Sequence, residues 1–163
     1  MKYVNFCLIA LTSIALSAGS VKNGVPSTGF YPGEAMPDIV LTDLGGEYRN
    51  LHDYSGRKVV VNFWATYDAQ SRARNVQLYN YLRMNNLDVE FLSIAFDKNR
   101  NVVQRTMALD KLENIPQFCE VKGTDSEVYK DFKLDKGFRS YLIDENGVIT
   151  AINLTPDDLK NIL

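Results

Sequence analysis

Few side chains in this 163-residue sequence can do covalent chemistry, so their identities narrow the functional reading at once. There are two cysteines, Cys7 and Cys119, and one histidine, His52. One histidine excludes a multi-histidine metal site, and no Ser-His-Asp constellation is visible around it. His52 lies in the connection Leu51-His52-Asp53-Tyr54 and reads as a loop or helix-start residue. The acids around Asp68 and Asp144 lack the ligand density of a calcium loop. The glycines lack phosphate-loop spacing. No metal and no cofactor is expected.

One stretch has the layout of a reactive site. Residues 59–75 read VVVNFWATYDAQSRARN, an apolar strand that runs through an aromatic-rich turn straight into a helix. A helix N-terminus stabilises an anion through its free N–H groups and its dipole, and it lowers the pKa of a thiol placed there. This turn carries Asp68-Ala69-Gln70-Ser71 and no thiol. Asp68 is an anion at neutral pH and among the best N-cap residues. Ser71 has a hydroxyl but no neighbouring base to activate it.

The remaining thiol chemistry depends on the chain's start. Residues 1–20 carry one Lys, the apolar run Phe6 to Leu16 and the small residues Ser17-Ala18-Gly19-Ser20, a signal-peptide pattern. The apolar run is short for a bilayer span, so cleavage after Ser17, Ala18 or Ser20 is expected, with no stable membrane span afterwards. Cys7 would leave with the signal. Cys119 would then be the only thiol, either buried as a small apolar side chain or open to a partner.

The elements that must position these residues follow from periodicity. Residues 21–33 form a linker or irregular lead-in rich in Gly, Pro, Ser and Thr, and one domain spans 34–163. Alternation around Gly45-Gly46 signals a hairpin. Residues 58–64 are a β-branched run suited to a central strand buried on both faces. A helix over 69–84 is expected to bury Val76, Tyr79, Leu82 and the stem of Arg72. A second buried strand over 89–97 makes a parallel crossover. A polar helix at 101–112, a short strand around Cys119 and a short helix capped by Thr124 or Asp125 come next. The chain closes with a hairpin turning at Asn146-Gly147 and a helix with Thr155 as N-cap and Pro156 at its first position. A central mixed sheet with helices on both faces fits this order. The apolar and charged fractions, 45% and 23%, are those of a soluble globular chain. With Lys+Arg 18 against Asp+Glu 20 and no basic stripe, nucleic acid is not an expected partner.

Those residues resemble the thioredoxin-like superfamily, in particular its exported TlpA/ResA-like, redoxin-type branch. Members tend to read P-D-F-x-L-x-D-x-x-G into L-x-D-Y-x-G-K-x-V-x-x-N-F-W-A-T-W-C-x-x-C-R, and later G-x-P-T-x-F-L-I-D-x-x-G-x-I. The counterparts here are PDIVLTDLGGEYRNLHDYSGRKVVVNFWATYDAQSR and GFRSYLIDENGVI. The resemblance covers Pro37 to the C-terminus. It implies a thioredoxin-like three-layer α/β/α sandwich with an N-terminal β-hairpin, a periplasmic or cell-envelope location and a thiol-disulfide oxidoreductase ancestry.

The resemblance also marks departures. Asp68 and Ser71 fall where the family has its attacking and resolving cysteines, Phe138 where it has a cis-proline, and Val76 where many members have a helical proline. Trp64, Ala65, Thr66 and Arg72 match. Thiol-disulfide exchange needs two sulfurs, which neither Asp68 nor Ser71 supplies. A trans bond is expected before Phe138, because a non-proline cis bond costs about 2.5–4 kcal/mol. Arg139 is expected to reach Asp68. The leading expectation is a redox-inactive module, not an enzyme, that binds an envelope protein or extended peptide through Trp64, Tyr67, Asp68, Ala69, Gln70, Phe138 and Arg139. A redox-active homologue is one candidate partner. The alternative is a thiol oxidoreductase or one-cysteine peroxidase that uses Cys119 with an external thiol.

Overall fold

A computed structural model describes residues 24–163, and the expected signal segment lies outside the described residues. The hairpin forms as β1 (Val40–Thr42) and β2 (Tyr48–Asn50), turning through Gly45-Gly46. A one-turn 3-10 segment, Leu51–Tyr54, follows and carries the exposed His52.

The main sheet has five strands in the order β5-β4-β3-β6-β7. β3 (Val59–Trp64) is central and buried at every residue. β4 (Glu90–Ala95) and β5 (Gln117–Cys119) run parallel to it, while β6 (Ser140–Ile143) and β7 (Ile149–Ile152) form the antiparallel half. The connection from β3 to β4 is α1 (Ala69–Met84), and from β4 to β5 it is α2 (Arg100–Leu109). α3 (Glu127–Asp131) precedes β6, and α4 (Pro156–Ile162) ends the chain. The sheet is mixed and the architecture is the expected layered α/β one.

Alternation along β3 divides the core. Val59, Val61 and Phe63 face a layer that holds Leu41, Leu51, Phe96, Phe132 and Tyr141. Val60 and Trp64 face Leu78 and Leu82 of α1, Met107 of α2 and Leu159 of α4. Burying a side chain of this size contributes roughly 1.5–3 kcal/mol, so a β3 buried on both faces anchors whatever its C-terminal end presents. The lead-in is irregular but tethered: Phe30 stacks edge-to-face on Phe132 at 4.8 Å, and the Gly33 N–H donates to the Ile149 carbonyl at 2.8 Å.

Three local expectations need correcting. Of the expected Arg72, Val76, Tyr79 and Leu82 stripe on α1, Leu82 is buried and Val76 and Tyr79 pack at the core's edge, while the centre of the buried face is Ser71, Asn75 and Leu78, one residue out of phase. Two of those buried positions are polar, so an apolar count picks the wrong phase. α2 stops at Leu109 rather than 112, because Lys111 adopts a left-handed conformation with φ 59°. Neither Thr124 nor Asp125 caps α3; both lie in a preceding 3-10 turn, and the Ser126 hydroxyl accepts from the Tyr129 N–H at 3.1 Å. Elsewhere local chemistry acts as expected. Thr155 and Asp158 form a capping box across Pro156, and Gly147 takes φ 79° in the β6–β7 turn.

Candidate functional site

The site forms where β3 and β4 end side by side at the same edge of the parallel half, the edge at which open α/β sheets place their ligands. After Trp64 the chain turns through Ala65, Thr66 and Tyr67, and α1 starts at once. Asp68 is the N-cap of α1: its Oδ1 accepts from the Ser71 N–H at 2.7 Å. The Ser71 hydroxyl is buried. It donates to the Asp68 carbonyl at 3.2 Å and accepts from the Ala65 N–H at 3.3 Å. Both side chains therefore tie turn to helix, and neither has a base beside it. Among the described residues no group of three metal-ligating side chains occurs.

The loop before β6 forms the opposite wall. A 3-10 segment, Leu134–Lys136, ends at Gly137, whose φ of 115° swings the chain into β6. That conformation is strained for a side chain bearing Cβ. No peptide bond among the described residues is cis, so Gly137–Phe138 is trans as expected. Arg74 clamps this loop to α1, its Nη1 donating to the Phe138 carbonyl at 2.7 Å. Phe138 is the hub of an aromatic chain that touches Tyr67 at 6.4 Å, Phe96 at 6.0 Å and Tyr129 at 6.1 Å between ring centres. Tyr67 is 64% exposed and forms the outer end of that chain. Desolvation raises its pKa above the usual tyrosine value, helped by Tyr129, Asp97 and Asp68.

Between these walls lies an open, mainly polar cleft of about 300 Å3, lined by Asp68, Gln70, Ser71, Arg74, Lys136, Gly137, Phe138, Arg139 and Asn153. Most of the residues expected to bind thus converge. Tyr67 borders the cleft through Phe138, and Ala69 is exposed on the first turn of α1. Trp64 does not reach it. Its ring is 1% exposed and its Nε1 donates to Ser93 Oγ at 2.8 Å, so it supports the site from beneath. The expected Arg139–Asp68 ion pair is not formed: neither residue has an ion-pair partner among the described residues. The Asp68 carboxylate serves the helix instead, and Arg74 is the cation whose charge it stabilises.

Two groups behind the turn escaped sequence reasoning. Asp97, just past β4, is buried and accepts from the Thr66 N–H at 2.9 Å and the Thr66 hydroxyl at 2.6 Å. Below it, Asn75 Oδ1 accepts from Asn62 Nδ2 at 2.9 Å and from Ser93 Oγ at 3.0 Å, joining α1 to β3 and β4. The available signal was positional, since residues just beyond adjacent parallel strands must lie together. Arg72 forms a two-pronged pair with Asp110 at 2.7 and 2.6 Å, which ties α1 to the end of α2.

Cys119 sits at the end of β5, 1% exposed, and its Sγ donates to the Asp97 carbonyl at 3.3 Å. Burial pushes its pKa up to about 11, with Asp97 adding to the shift. A thiol held protonated and out of solvent is a poor nucleophile.

Comparison with known proteins agrees with this geometry. The sequence matches the Redoxin family over residues 31–162. A thioredoxin-like protein from Parabacteroides distasonis ATCC 8503 is 40% identical, with a TM-score of 0.70 over 83% of this chain and 96% of that one. The thiol-disulfide oxidoreductase ResA of Geobacillus kaustophilus (strain HTA426) is 28% identical over 80% of this chain and 75% of its own length. The thioredoxin-like protein YneN of Bacillus subtilis (strain 168) is 25% identical over 77% and 73%. With a mixed five-stranded sheet, a strand–turn–helix site at its edge and a family match across nearly all the described residues, the chain belongs to the redoxin family, on the thioredoxin-like, ResA-related side of it.

Proposed function

We propose that this protein is an exported, redox-inactive member of its family that works by binding a protein or extended peptide at the Asp68/Phe138 end of the sheet. The observation that carries this reading is the start of α1. The position suited to a reactive thiolate holds Asp68, bonded to the helix it caps, and one turn on stands the buried hydroxyl of Ser71. Dithiol exchange needs an attacking and a resolving sulfur, and this junction has neither. Cys119 does not replace them, since its thiol is buried and held protonated. What the site retains is a cleft with an exposed aromatic rim, a feature of surfaces that hold partners.

Export is supported by residues 1–20, with their charged start, short apolar run and small-residue end. Among the described residues no helix is long and apolar enough to cross a membrane. The partner is then an envelope protein, and a redox-active homologue is one candidate. Two measurements test the reading. Thiol titration of the folded protein, with and without peroxide, is expected to find Cys119 unreactive; rapid loss of that thiol to peroxide would overturn the redox-inactive half. Titration of an isotope-labelled sample with a reduced, unfolded polypeptide is expected to shift the resonances of Tyr67, Phe138 and Arg139. Shifts confined to other faces, or none, would overturn the binding half.

A further inference from the structure

The cleft beside Phe138 has a charge opposite to that of the whole molecule. The protein is net acidic at −2, yet three of the four ionic side chains around this cleft, Arg74, Lys136 and Arg139, are cations. The fourth, Asp68, is turned to the N–H of Ser71. None of the three cations has an ion-pair partner among the described residues. Arg74 is half-buried and spends one donor on the Phe138 carbonyl. A guanidinium carries five donors, and one partly removed from water with no carboxylate in direct contact leaves a desolvation cost that an incoming anion offsets. Burial lowers its pKa, and only the Asp68 charge opposes that shift.

We propose that this cleft is a docking site for an acidic protein segment, whose carboxylates face Arg74, Lys136 and Arg139 while an adjoining apolar side chain rests on Tyr67 and Phe138. This deepens the binding reading above and rests on it. The size of the cleft, about 300 Å3, is at the small end of ligand pockets and suits a few side chains of a segment. A free small anion would leave the aromatic ledge uncovered, with Tyr67 64% exposed. A segment covers both. The Phe138 carbonyl accepts from Arg74, so the bond that fixes this loop also holds a cation beside the cleft.

The test uses fluorescence anisotropy with the whole protein and a labelled peptide, Ser-Gly-Glu-Phe-Glu-Gly-Ser, beside versions in which Gln or Lys replaces both Glu. The Glu peptide is expected to bind more tightly than the Gln peptide, and the Lys peptide not at all. Raising the salt concentration should weaken the Glu peptide selectively. The double variant Lys136→Gln, Arg139→Gln is expected to weaken the Glu peptide roughly tenfold and the Gln peptide by much less. The salt series on the wild-type protein keeps the proposal testable if the variant misfolds. Equal affinity for the Glu and Gln peptides would overturn the acidic preference and leave peptide binding standing. Free succinate binding as tightly as the Glu peptide would overturn the segment in favour of a small-anion site. Failure of every peptide to bind overturns this inference, while the resonance titration above decides the binding reading separately.

Discussion

At the scale of single residues, Asp68 and Cys119 carry most of the argument. Asp68 keeps a negative charge at a helix N-terminus, where the dipole favours one, and its bond to the Ser71 N–H makes that charge structural. Asp68→Ala is expected to lower stability by about 1 kcal/mol and Asp68→Asn by much less. Urea denaturation measures both; an unchanged midpoint for the alanine variant would count against the cap. Cys119 gives a prediction in pH. Its folded pKa, about 11, is above the ordinary 9.0 of the unfolded chain, so the native state favours the neutral thiol. That contribution is whole below about pH 9 and is lost as pH rises toward 11. Relative to Cys119→Ala, the wild-type protein should lose on the order of 2 kcal/mol across this window. Parallel stability curves for the two proteins would mean that the thiol is accessible.

At the scale of elements, polar groups hold the frame in register as much as apolar ones do. Asn75 on α1 ties Asn62 on β3 to Ser93 on β4, and Ser93 in turn holds Trp64. Removing a buried partner leaves the others unsatisfied, so Asn75→Ala is expected to cost about 2–3 kcal/mol, measured as a shift in denaturation free energy. A loss under about 0.5 kcal/mol would show that the network relaxes without it. The same network explains what was readable in advance. The limits of α1, the buried run of β3, both hairpins and the Thr155-Pro156 start of α4 follow from local patterns of turn residues, caps and periodicity. The phase of α1 does not, because Ser71 and Asn75 are buried for hydrogen bonding and an apolar pattern passes over them. The cap of α3 is not legible either, because Thr124, Asp125 and Ser126 are all competent N-caps and only the 3-10 turn decides for Ser126.

At the scale of the whole molecule, a core buried on both faces of β3 holds at its edge a junction with Asp68 and Ser71 in place of sulfurs, beside the cleft proposed to bind a partner. The aromatic chain running from Phe63 through Phe96 and Phe138 to Tyr67 links that core to the surface. Phe138→Ala is expected to weaken partner binding and cost about 2 kcal/mol of stability through lost packing. Tyr67→Ala, at an exposed position, should weaken binding while changing stability by less than about 0.5 kcal/mol. The converging cleft residues were readable as a group because the turn before α1 and the loop before β6 stood out in the sequence. The cationic character of the cleft was not, since Arg74 and Lys136 come together only through the crossing of α1 over the sheet. The central claim is that the strand–turn–helix junction is kept while its reactive sulfurs are missing, and disulfide reduction of insulin tests it directly. The wild-type protein is expected to stay at background, and the double substitution Asp68→Cys, Ser71→Cys to acquire turnover on the same frame. Wild-type turnover above background that disappears in Cys119→Ser would contradict the account.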